Sequence, residues 1–219
     1  MCETRRQSGA AVNNKNQNKK MKMKRGYVTL IVIVAVVLVL FFWIKGMYNS
    51  MVRTDETVSQ AWAQVENVYQ RRADLVPNLV ATVKGYAEHE SSTLEAVVEA
   101  RAKATQATVD PSTLSEEELA RFMSAQNELG TAIGRLLVSV ERYPDLKANQ
   151  NFLELQAQLE GTENRITVER QKFNEAARNY NVTIRRFPNN IFAGMFGFEK
   201  KGYFEASEGA EQAPVVSFE

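Results

Sequence analysis

Eighteen consecutive residues from Tyr27 to Ile44, YVTLIVIVAVVLVLFFWI, carry no charge. As a helix this run rises roughly 27 Å at 1.5 Å per residue, close to the hydrocarbon thickness of a bilayer. It is longer than the apolar stretch of a cleaved secretory signal. Phe42, Trp43, Ile44 and Lys45 also stand where cleavage would need small residues. We therefore read residues 26–45 as an uncleaved transmembrane signal anchor. The anchor divides the chain into a basic cytoplasmic tail over 1–25, a body over 46–187, and an apolar, aromatic segment with a flexible acidic tail over 188–219. The first tail reads as disordered from its Asn, Gln and Lys content.

Charge sorts along the same division. Residues 1–25 hold eight Lys and Arg and one Glu, a net +7, whereas residues 46–219 hold 18 basic and 25 acidic residues, a net −7. An acidic body lacks the positive field that nucleic-acid binding requires. Basic residues crowd before the span and only Lys45 follows it closely, so the positive-inside rule puts the N-terminus in the cytoplasm and the body outside. Cys2 is the only cysteine, which excludes an intrachain disulfide.

From Met47 onward apolar residues recur every three to four positions, the period of an amphipathic helix, with no strand alternation. One stripe runs through Val58, Trp62, Val65 and Tyr69. A second runs through Val76, Leu79, Val83, Leu94, Val97 and Ala104. A third passes through Leu119, Phe122, Leu129, Ile133, Leu136 and Val140, and a fourth from Phe152 to Ile184. Pro111, Pro144 and Pro188 interrupt or end the pattern. Ser115 and Glu118 form a capping-box pair at the head of the third helix, about 116–142; the fourth covers about 149–187. The expected fold is all-α: an antiparallel, up-and-down four-helix bundle behind the anchor.

Pro77 poses the main topological choice. A helix merely kinked there keeps the apolar period continuous through 72–79. A reversal at 73–77 gives all four stripes a partner, with Asp74 as N-cap and Pro77 in the first turn, where a missing N–H costs little. The bundle argument favours the reversal.

Three stretches, RRADLVPNLVATVKGYAEHE, YPDLKANQNFLELQAQLEGTENRI and FNEAARNYNVTIRRFP, closely resemble the LemA family of bacterial membrane-anchored proteins, as does Tyr48–Asn49 after the anchor. The resemblance covers about residues 22 to 204. It implies an N-terminal anchor in the cytoplasmic membrane, an antiparallel four-helix bundle, no catalytic residues, no cofactor, and envelope scaffolding.

Candidate sites are few. His89 is the sole histidine, flanked by Glu88 and Glu90. Successive helical residues point about 100° apart, so these three cannot converge on one metal ion. Arg71, Arg72 and Asp74 could hold an anion, but they also suit a helix end. The fourth stripe lapses at Gly161, Thr162, Glu163, Glu169 and Arg170. Those positions are read as a polar layer satisfied across the bundle by Arg71 or Arg72, with a partner-docking groove as the sharper alternative. Ile191, Phe192, Met195, Phe196 and Phe198, followed by Lys200 and Lys201, read either as a membrane-interface segment or as a plug for the end of the core. Two functions from different classes follow. One is a non-enzymatic, membrane-anchored adaptor that binds other envelope proteins. The other is a metal-dependent or hydrolytic enzyme using His89 and nearby carboxylates.

Overall fold

A computed structural model describes the backbone of residues 4–87 and 90–205 and the side chains of residues 26–87 and 90–205. Among the described residues the regular secondary structure is all helix: α1 (Thr4–Lys84), α2 (Ser91–Gln106), α3 (Glu116–Val140), the short α4 (Pro144–Lys147), α5 (Gln150–Arg185) and α6 (Asn189–Met195). Two compact units make up the chain, Met1–Ser50 and Met51–Glu219.

The first unit contains the apolar run. Its large side chains face outward: Leu30, Ile33 and Phe41 are all more than half exposed. Among the described residues α1 alone is long and apolar enough to cross a membrane. It begins at Thr4, inside the stretch whose composition reads as a disordered tail.

The second unit is built on the stripes read from the sequence, and their members are buried. The reversal expected at 73–77 does not occur. α1 continues through Pro77 to Lys84. A proline inside a helix lacks the N–H that would bond the carbonyl four residues back. That carbonyl belongs to Ala73, and Arg101 of α2 donates its Nε–H to it at 2.8 Å. Asp74 is no cap; it accepts from Gln70 Nε2 at 2.7 Å on the exposed face. The chain turns instead at Gly85, where the amides of Tyr86 and Ala87 both donate to Val83 O. The second helix is consequently shorter than the stripe implied.

α3 starts on the expected capping box: Ser115 Oγ accepts from Glu118 N, and the Glu118 carboxylate accepts from Ser115 N. Asn149 caps α5 by accepting from Phe152 N at 3.1 Å. The turns at one end are tied together. Glu90 Oε1 accepts from Arg142 Nη2 at 2.7 Å and from Tyr143 OH at 3.1 Å, and Asn149 Nδ2 donates to Tyr86 OH at 2.9 Å.

The core falls into two clusters. The aliphatic one joins Val76, Leu79 and Val83 of α1 to Val97 of α2, Leu129 and Leu136 of α3, Leu146 of α4 and Phe152 of α5. The aromatic one joins Trp62 and Tyr69 of α1 to Phe122 of α3 and Phe173 and Tyr180 of α5. No α2 residue belongs to it. Its remaining wall is non-helical chain, Val109 and Leu114 from the α2–α3 connection and Phe204 from the C-terminal segment, together with Ala193 of α6.

Candidate functional site

Between the two clusters lies a polar layer. Arg72 is 5 % exposed, and its Nη2 donates to Gln126 O and Gln126 Oε1, both at 2.8 Å. Its Nη1 meets Glu163 Oε2 at 3.1 Å. Gln126 in turn donates from Nε2 to Ala104 O at 3.1 Å. One arginine thus engages α3 and α5 directly and α2 through Gln126. The guanidinium also lies 5.1 Å over the Tyr69 ring, a cation–π contact. Burial pushes the Tyr69 phenol up, against the opposing pull of Arg170 and Arg72. A buried charge is tolerated when it is paired and hydrogen-bonded; here only Arg72 Nε lacks a partner.

A groove of about 330 Å³ opens beside this layer between α3 and α5, lined by Gly130, Ile133, Gly134, Leu159, Glu160 and Glu163 with Arg72 at one wall. A Cβ at Gly130 would stand 3.6 Å from Arg72 Nη1, and one at Gly134 would meet nothing within 4 Å.

The C-terminal strap, residues 198–205, forms the second arrangement. Two asparagines one heptad apart on α5 hold its main chain. Asn181 Nδ2 donates to Lys201 O at 2.8 Å while Lys201 N donates back to Asn181 Oδ1 at 2.9 Å. Asn174 repeats the exchange with Phe204, both bonds at 2.8 Å. Between the clamps Gly202 N donates to Leu114 O at 2.8 Å. A Cβ on Gly202 would sit 2.9 Å from Leu119 Cδ1 and 3.0 Å from Glu116 backbone, so only glycine fits. Phe204 then stacks near Trp62 at 6.0 Å and meets Phe173 edge-on at 5.2 Å.

Lys201 is 2 % exposed. Its ammonium donates to Ser112 O and pairs with Asp55 Oδ1 at 3.3 Å, a charge contact without hydrogen-bond alignment. It lies 5.7 Å over the Tyr180 ring. Burial, reinforced by the carboxylates of Asp55 and Glu199, pushes the Tyr180 phenol above its usual range, so it stays neutral.

The residues singled out in the sequence separate accordingly. Arg72 and Glu163 meet in the polar layer. Arg71 is exposed and outside it. Thr162 is buried but bonds its own helix at Gln158 O, and Gly161 is exposed with open space around it. Glu169 pairs with Lys172. Arg170 caps the strap, donating to Glu205 O at 2.8 Å and lying 5.1 Å over the Phe204 ring. Phe192 and Phe198 pack against the aromatic core, whereas Ile191, Met195 and Phe196 are exposed. Lys201 is buried, while Lys200 pairs at the surface with Glu116 at 2.7 Å. His89 and the tail from Ala206 lie outside the described residues. Among the described residues no group of three or more His, Cys, Asp or Glu is placed to hold a metal ion. Gln126, Asn174 and Asn181 escaped the sequence reading. The one available signal was three polar residues falling on apolar stripes.

Fold and site together define a class: an all-helical protein with one helix fit to cross a membrane and a body braced internally by buried polar groups. The chain belongs to the LemA family, whose profile matches residues 61–218. It is 27 % identical over 187 residues to the magnetosome protein MamQ 2 of Paramagnetospirillum magneticum strain AMB-1, covering 78 % of this chain and 68 % of that one. To MamQ of Magnetospirillum gryphiswaldense strain MSR-1 it is 28 % identical over the same shares. To protein LemA of Metamycoplasma hominis it is 25 % identical over 168 residues, 77 % of this chain and 73 % of the relative.

Proposed function

We propose that this protein is a non-enzymatic scaffold of the bacterial envelope. A single-pass anchor holds it in the cytoplasmic membrane with its N-terminus inside, and an antiparallel four-helix bundle outside binds other envelope proteins. The observation that carries the reading is where the body's buried polar groups are spent. Buried Arg72, Gln126, Asn181 and Lys201, together with half-buried Asn174, all bond to the protein itself, as bracing does. The relatives named as magnetosome proteins support a part in a membrane-associated assembly.

The up-and-down course is supported by the order of the cross-links. Asp55 lies level with Lys201, Arg72 with Gln126, Ala104 and Glu163, and Glu90 with Arg142. Followed along the chain, these levels rise through α1, fall through α2, rise through α3 and fall through α5. The partner-binding surface of this reading is the α3–α5 groove, where Gly130 and Gly134 leave room for another chain.

Photoreactive residues at Gly134 and Gln156, tested in intact cells, address the proposal. The expected result is covalent adducts with a small, reproducible set of envelope proteins, absent when the probe stands at exposed Val98. Adducts identical from all three positions would remove the groove. Protease added to spheroplasts should digest the body; full protection would overturn the topology. His89→Ala should leave the phenotype intact, and loss of phenotype with the fold preserved would favour an enzyme.

A further inference from the structure

Helix α6 is apolar on two sides. Phe192 and Ala193 turn inward, and both belong to the packing around the aromatic core. Ile191 and Met195, four residues apart, share another face, and they are 55 % and 76 % exposed. Phe187, just before the helix, is 76 % exposed. Arg185 and Arg186, both exposed, stand immediately before it. A cluster of large apolar groups left exposed calls for a second apolar environment, and such groups next to arginines match the composition of an interfacial membrane segment.

Chain continuity selects the occupant. Asn189 Nδ2 donates to Thr183 O at 2.9 Å, which holds α6 at the C-terminal end of α5, and Lys201, clamped by Asn181 of that same end, pairs with Asp55 of α1, so α6 lies at the end of the body where the chain enters it. Met51 follows Ile44, the last residue of the apolar run, by seven residues. Even fully extended, that connection reaches no more than about 25 Å. Met51 is therefore tethered within that distance of the end of the apolar run, and the patch shares Met51's end of the body.

We infer that Phe187, Ile191 and Met195 insert into the lipid interface, making α6 a second, reversible membrane contact beside the anchor. The arginines before it meet lipid phosphates. The strap that follows is held by Asn181 and Asn174, so α6 is fixed to the body at both ends and carries the body with it. This inference rests on the single-pass anchor of the proposed function.

The test uses the full chain in lipid vesicles, with Cys2→Ser and a single fluorescent label at Met195→Cys, Val138→Cys or Val36→Cys. Val138 is 72 % exposed on α3 and serves as the aqueous reference. Brominated phospholipid is expected to quench the labels at 36 and 195 several-fold more than the label at 138, and aqueous iodide should rank them in reverse. If the label at 36 is quenched by lipid but that at 195 behaves like that at 138, the inference fails and the anchor stands. If the label at 36 is not quenched by lipid, the anchor itself fails. A label at 195 protected from both quenchers means that protein covers the patch, which also overturns a lipid contact. Ile191→Glu, at an exposed position, should shift the label at 195 toward iodide without changing the far-ultraviolet circular dichroism.

Discussion

The two halves of the body close the same kind of core differently. The aliphatic cluster draws almost all its residues from helices, α1, α2, α3, α4 and α5, with only Ala87 from a turn, so nearly every main-chain polar group around it is paired within a helix. In the aromatic half α2 has already ended, so the remaining side is made from the 107–115 connection and the strap. Chain without a helical ladder brings unpaired amides and carbonyls into the interior. The protein answers with side chains: Asn174 and Asn181 each offer a donor and an acceptor in peptide-like geometry. Large rings fill the wider space, with Trp62 meeting Phe122 and Phe173 edge-on at 5.2 and 5.7 Å. A helix can therefore be replaced as a wall, provided side chains of a neighbouring helix carry the hydrogen bonds.

The strongest way to break the comparison is to remove the strap. A chain ending at Phe198 loses Phe204, and deleting a buried phenylalanine alone costs about 3–5 kcal/mol. Amide hydrogen exchange should show protection lost across Val58–Tyr69 and Phe173–Ile184 while Leu129–Val140 keeps most of its own. Equal loss in both halves would show them to be one cooperative unit.

Pro77 and Arg101 sharpen the contrast from the other half. Arg101→Ala leaves Ala73 O buried and unpaired, at about 1–3 kcal/mol. Pro77→Ala restores an N–H to that carbonyl, so the same arginine change should cost less in the Pro77→Ala background. A double-mutant cycle by urea unfolding reads the coupling, on the order of 0.5–3 kcal/mol. Additive changes would remove this account of why α1 passes through the proline.

Asn181→Ala isolates one clamp. It leaves the Lys201 amide and carbonyl without partners, at about 1–2 kcal/mol, and should lower Tm while preserving the helical circular dichroism. Asn181→Asp keeps the acceptor but sets a buried carboxylate oxygen against Lys201 O, so its thermal melt near neutral pH should fall at or below that of the Ala variant.

Acid gives the smallest effect. The Thr113 hydroxyl, with the Ser115 amide and hydroxyl, holds Glu118 below the usual carboxylate range; Lys200 does the same for Glu116, and the Ser112 amide for Asp110. Folded values below unfolded ones give stability that is present above about pH 4.5 and is lost as pH falls through the folded values. All three groups lie where the 107–115 connection and the strap meet α3. Hydrogen exchange at pH 3 against pH 6 should therefore loosen the aromatic half first, and Glu118→Gln should blunt the difference slightly.

What the sequence determined by itself is periodic or locally encoded. Eighteen uncharged residues mark the stretch of α1 apolar enough to cross a membrane, the three-to-four spacing assigns the buried face of each long helix in the body, and Ser115 with Glu118 marks where α3 begins. Each signal lies within a few residues of the structure it specifies. The tertiary structure alone decided the rest, because the deciding partner is remote in sequence. Pro77 reads as a break until Arg101, on another helix, supplies the donor that its ring removes. Lys201 reads as a surface cation until Asp55 and the Ser112 carbonyl, far back in the chain, make burial affordable. Phe204 ends a segment that reads as membrane interface or core plug until two asparagines on α5 capture the main chain around it. In each case a local polar or steric defect is cancelled by a group that only the packed fold brings within hydrogen-bonding distance.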